Sequence, residues 1–145
     1  MATTTAAVTL TSADLLSNAI AVSSTATLHK MGTTNGLDQV RMGRNEVVVG
    51  TNFDLLDATA LGEDKASKVY IANKSTDDTY YIIVSMYNKV IGRLYAGDWM
   101  FMPWGQGFGG GTPGKDDIEI QAVTGTNTVE WACFHEGETL ATHAD

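Results

Sequence analysis

Apolar and polar positions alternate with a period of two along most of this chain, the spacing of strands with one covered and one wet face. Ile20, Val22, Ala26 and Leu28 fall on one face of such a strand, with Ala21, Ser23, Thr25 and Thr27 on the other. Residues 6–11 give a strand ahead of it, and residues 46–49 and 53–56 give two short ones after it. Asn35-Gly36 reads as a turn between them, because both residues tolerate positive φ.

The second half is patterned more sharply. Val69 and Ile71 mark a strand that ends in the polar loop 73–79. Residues 80–87 are apolar on both faces, as in a central strand covered on both sides. Asn88-Lys89 reads as a tight turn into residues 90–95, and Gly97-Asp98 as a turn into residues 99–102. A glycine-rich loop spans residues 105–114. Residues 118–123 and 129–134 read as a closing hairpin joined by Thr124-Gly125-Thr126-Asn127, with Ile118, Ile120 and Ala122 set against Val129, Trp131 and Cys133. Helical spacing is confined to residues 12–16, where Thr11 or Ser12 can cap a single turn, and to a short turn within residues 55–61. The expected fold is all-β, an antiparallel β-sandwich or jelly roll with less than about a tenth helix. Residues 1–10 form an extended N-terminal arm, residues 11–136 the domain, and residues 137–145 a polar tail. Val8 and Leu10 in the Thr-rich arm need a strand partner, and a neighbouring chain is a candidate.

Composition narrows the function. The 145 residues suit one domain with its own core. Charged residues make up 18%, against about 25% in ordinary globular proteins; Thr, Ser, Asn and Gly take the polar positions. The net charge of −8 disfavours nucleic acid and anionic membrane as partners. Cys133 is the only cysteine, so no internal disulfide forms, and its apolar strand makes it a small hydrophobe. The start has no basic leader before an apolar run, and no apolar run reaches membrane-span length. The expectation is a soluble protein made in the cytoplasm.

Several motifs imitate chemistry. Gly105-Gln106-Gly107-Phe108-Gly109-Gly110 spells the dinucleotide fingerprint, but a strand follows it where a helix N-terminus should hold the phosphates. Gly109 to Lys115 has P-loop spacing, but Asp116 stands where a hydroxyl must meet magnesium. His135, Glu136 and His143 lack the helical spacing of a zinc site and read as part of a solvated C-terminal end; His29 has no companions. Asp77-Asp78 and Asp116-Asp117 lack the alternating oxygen ligands of a calcium loop and read as turn formers. Asn73-Lys74-Ser75 is a formal glycosylation sequon that matters only on secretion. No catalytic set, cofactor or metal site is expected. Arg41 and Arg44 form one compact basic spot, too small for nucleic acid, that serves either a protein interface or a solvated turn. Residues 99–104, Trp-Met-Phe-Met-Pro-Trp, stand out most. As a strand they must turn half their side chains away from the core, which fits either a core with a Trp lid or a subunit contact.

The Thr-rich opening to Leu15, Thr25-Ala26-Thr27-Leu28, Gly36-Leu37, residues 68–73 and residues 92–99 with Pro103-Trp104 together resemble small structural proteins of tailed bacteriophages, of the marine and cyanobacterial phage type. The likeness spans most of the chain in style. It implies a non-enzymatic virion protein, foremost a capsid decoration or cement protein that bridges major capsid subunits as a homo-oligomer, usually a trimer. A tail or fibre component and a carbohydrate-binding β-sandwich module are the alternatives. Expected partners are the major capsid protein and further copies of the chain. The interface residues on this reading are Val8, Leu10, Arg41, Arg44, Trp99, Met100, Met102 and Trp104.

Overall fold

A computed structural model describes residues 4–13, 20–58, 67–104 and 116–136. They form ten strands: β1 (Thr5–Ser12), β2 (Ile20–Thr27), β3 (Gln39–Val47), β4 (Asn52–Leu56), β5 (Ser67–Asn73), β6 (Tyr81–Met86), β7 (Lys89–Tyr95), β8 (Trp99–Trp104), β9 (Ile118–Ala122) and β10 (Asn127–His135). Every ladder is antiparallel. The strands make a two-stranded ribbon, β1-β2, and two four-stranded sheets, β3-β10-β5-β8 and β4-β9-β6-β7. The chain is all-β, and the described residues hold no α-helix. Parts of both expected helical turns, residues 14–16 and 59–61, lie outside the described residues, as do the 105–114 loop, the tail 137–145 and His143.

Pairing within the two larger sheets is nested. β3 pairs with β10, β4 with β9, β5 with β8, and β6 with β7. Every connection from β3 to β10 therefore changes sheet, except the one between β6 and β7. The expected closing hairpin is thereby corrected: β9 lies between β4 and β6, and β10 between β3 and β5. Their alternation is as read, with Ile118, Ile120, Ala122, Val129 and Cys133 all buried. Both strands offer apolar side chains to one core from different sheets, and period-two patterning is identical in that arrangement and in a hairpin.

All eight strands of the two sheets contribute to a single apolar cluster. Ile71, Ile82 and Ile118 are wholly excluded from water, each worth about 1.5–3 kcal/mol against exposure. β6 is interior as expected: Ile82 and Val84 are buried, while Tyr81, Ile83 and Ser85 are only half-covered. Where β5 ends and β10 begins, Asn73 and Asn127 are buried and bonded. Asn73 Nδ2 donates to Asn127 Oδ1 and to the Leu94 carbonyl, both at 3.1 Å, and Asn127 Nδ2 donates to the Thr124 carbonyl at 2.8 Å. Ser75 Oγ donates to Asn127 Oδ1 and accepts from the Thr128 amide. A satisfied polar network of this kind sets register where apolar packing alone is tolerant.

Local chemistry fixes the turns. Tyr87 and Asn88, both at positive φ, make a two-residue loop between paired Met86 and Lys89, the backbone that suits a tight hairpin. It lies one residue before the expected Asn88-Lys89. The first loop turns at residues 31–34 rather than at Asn35-Gly36, because Gly36 already bridges His29 and the Asn35 carbonyl accepts from the Lys30 amide. Asp77 Oδ1 accepts from the Thr79 amide and hydroxyl, which hold its carboxyl below the usual range. Asp117 accepts from the Ala58 amide.

The N-terminal strand finds its partner within its own chain. β1 pairs along its whole length with β2, from Thr5 opposite Thr27 to Ser12 opposite Ile20. The Leu28 amide to the Thr4 carbonyl and the Thr4 hydroxyl to the Leu37 carbonyl tie the base of this ribbon to the domain.

Candidate assembly surface

β8 divides its side chains as a strand must. Met100, Met102 and Trp104 point inward, opposite Ile71, Val69 and Ser67 of β5. Trp104 is buried, with Nε1 donating to the Asp116 carbonyl at 2.7 Å, and the Ser67 hydroxyl donates to the Trp104 carbonyl. These three residues belong to the core. Trp99, Phe101 and Pro103 point outward, and Trp99 remains 51% exposed. Pro103 sits on an edge strand, where a missing N–H is tolerated.

The registers assemble an outward surface from four distant segments. Met42 lies opposite Ala132, Ala132 opposite Tyr70, and Tyr70 opposite Phe101, giving a row apolar from one sheet edge to the other. Val40, Phe134, Lys68 and Pro103 form the next row, and Arg44, Glu130, Ala72 and Trp99 the row on the other side. Tyr70 and Trp99 pack with ring centroids 6.3 Å apart. Met42, at the free edge, is 73% exposed. The equivalent row on the other sheet is Asn52, Gln121, Ile83 and Arg93. That face is polar, with Tyr81 and Tyr95 packed at 5.2 Å and Arg93 over the Tyr81 ring at 5.5 Å. A groove of about 200 Å³ there is lined by Asn52, Ser85, Glu119 and Gln121 among others.

The ribbon is amphipathic by the same alternation. Ala6, Val8 and Leu10 share a face with Val22 and Ala26, while Thr5, Thr9, Thr11, Ser23, Thr25 and Thr27 occupy the other. Ala6, Ala7 and Val8 line a groove of about 270 Å³ together with Tyr70, Trp99 and Phe101. One end of the ribbon thus lies beside the apolar sheet face. Leu10 and Val22, directly opposite each other, stay 55% and 51% exposed. No described ribbon residue enters the core cluster. A two-stranded ribbon without a core of its own is marginal in water.

The expected interface residues therefore separate into groups. Val8 and Trp99 line one groove where the ribbon meets the apolar face, Leu10 lies farther along the ribbon and stays exposed, and Arg44 borders that face opposite Glu130. Arg41 lies on the inner register of β3, opposite Cys133. Burial pushes the Cys133 thiol up to about 12 against the pull of Arg41. Met42, Tyr70, Ala132 and Phe134 were not singled out by sequence reasoning, and Phe101 stood out only as part of the 99–104 segment. The available signal was slight: in 40–44, alternation alone puts Met42 on the same face as Val40.

The candidate metal residues are placed otherwise than expected. His135 and Glu136 are buried rather than solvated. His135 Nδ1 lies 2.8 Å from the Glu136 carbonyl, and the Glu136 carboxylate accepts from the Met31 amide, fastening the end of β10 to the first loop. His29 is exposed. Among the described residues no group of three or more His, Cys, Asp or Glu is placed to hold a metal ion. The chain matches no protein-family model, no curated protein and no solved structure.

Proposed function

We propose that this chain is a structural virion protein, a capsid decoration protein that bridges and stabilises neighbouring major capsid subunits. The observation that carries the proposal is the amphipathic ribbon whose apolar pair Leu10 and Val22 is left about half exposed among the described residues. A ribbon tied at its base and uncovered beyond it is suited to lie on a neighbouring protein, where backbone and apolar contacts repeat with every copy. The domain behind it is a jelly roll on this reading. Its support is the nested pairing of β3 with β10 through β6 with β7, the order made by folding one long hairpin over on itself. The polar outer face of β4-β9-β6-β7 then looks to solvent.

Electron microscopy of assembled particles tests this. Many copies at regular shell positions are the expected result; copies confined to the tail overturn decoration in favour of a tail component. Removing residues 1–10 deletes most of β1 and should abolish shell attachment while the domain still unfolds cooperatively. A glycan-binding module is the second reading, favoured by Tyr81, Tyr95 and the polar groove on the other sheet. Retention on immobilised oligosaccharide with no affinity for shells supports it instead.

A further inference from the structure

We infer that the occupant of the apolar sheet face is the ribbon of a second copy of this chain, so that copies join ribbon-on-face into a closed assembly. This deepens the structural reading above by naming the partner at that surface. Within one chain, the ribbon end bearing Ala6 and Val8 already lies beside Tyr70, Trp99 and Phe101. The two surfaces are therefore chemically compatible, and each has a remainder. On the ribbon it is Leu10 and Val22; on the face it is Val40 and Met42, at the β3 edge. Among the described residues both remainders stay half or more exposed, and one copy's ribbon remainder matches the next copy's face remainder.

Charge allows a second copy here. Each chain carries −8, so two copies repel wherever acidic surfaces meet. The strands β1 and β2 contain no ionisable side chain, and the outer face of β3-β10-β5-β8 balances Arg44 and Lys68 against Glu46 and Glu130. Contact there brings no net like charge together. A joint between two different patches of the same chain builds rings or reciprocal pairs when it closes.

Sedimentation of the full chain and mixed-variant crosslinking test the inference together. At about 100 μM the wild-type chain should sediment as an oligomer, and Leu10→Glu or Met42→Glu should each weaken association at least about tenfold while the urea midpoint, measured at dilutions where both chains are monomeric, stays unchanged. Val90→Glu, exposed on β7 of the other sheet, should leave the mass unchanged. Leu10→Cys chains mixed with Met42→Cys chains should form a disulfide between unlike chains under mild oxidant. Cys133, buried in the core, stays out of that reaction. A monomeric wild type, or crosslinks only between like chains, overturns the inference. A monomer that still coats shells leaves the decoration reading standing, and an oligomer that ignores shells overturns decoration alone.

Discussion

Trp131 lies directly opposite Gly43 across the β10–β3 ladder, and its indole occupies the space a side chain at position 43 would need. A β-carbon there would sit 2.9 Å from the ring. The indole Nε1 donates to Asn45 Oδ1 at 2.9 Å, which holds the ring across the strand next to its own partner. An aromatic residue thus covers the bare backbone of a glycine on an edge strand, so the two positions act as one unit.

Gly43→Ala should therefore destabilise the domain by about 1–3 kcal/mol, the usual cost of overpacking a fitted site. Urea unfolding followed by tryptophan fluorescence measures it. In a Trp131→Leu background the same change should cost clearly less, and equal costs in both backgrounds would refute the coupling.

Gly125 is constrained twice. Its φ is +61°, and a β-carbon would come within 2.1 Å of the Tyr80 ring. Gly125→Ala should cost more than the roughly 1–2 kcal/mol that left-handed backbone alone exacts from an L-residue. Adding Tyr80→Ala should remove the steric share and leave the backbone share. Melting temperatures of the single and double variants separate the two.

Asn127→Leu leaves the Thr124 carbonyl and Ser75 hydroxyl each short of a partner and removes one of the two acceptors of Asn73 Nδ2. The expected loss is about 1–3 kcal/mol, carried chiefly by the buried Asn73 amide left short of an acceptor, since the half-exposed Thr124 and Ser75 groups can turn to water. Hydrogen exchange at the Thr128 amide, which donates to Ser75 Oγ, should speed up with it.

The Cys133 thiol gives a pH dependence with a definite sign. Its ordinary value is 9.0, and burial raises it to about 12 in the folded chain. The unfolded chain therefore releases its proton first, so this contribution is complete below pH 9.0 and is lost as pH rises toward about 12. Wild type should lose more stability than Cys133→Ala over that interval, measured by urea unfolding at matched ionic strength. Native wild type should also react with thiol reagents near pH 8 only as fast as it unfolds.

The local alternation of residues was enough to place most strands and say which side of each is wet. Val69 and Ile71, Ile118 and Ile120, and Val129 and Cys133 read as buried because a strand's two faces are written in neighbouring residues. The inert character of Cys133 was legible for the same reason. Alternation said only that residues 99–104 divide between two faces, and the expected interface wrongly took in Met100, Met102 and Trp104, which face the core. What pairs with what was not. β9 and β10 carry the same pattern in one sheet or in two, and the choice depends on β4, β6, β3 and β5 accepting them, which are contacts between distant segments. Alternation could likewise place Met42, Tyr70, Phe101 and Ala132 on wet faces, but only the registers of β3, β10, β5 and β8 bring them into one row. The N-terminal strand looked partnerless although its neighbour β2 was read as a strand, because alternation marks a strand without saying which other strand it pairs with. Strand formation follows from side-chain period within a few residues, whereas the assembly surface follows from backbone pairing across the whole chain, and that is decided only when the sheets close.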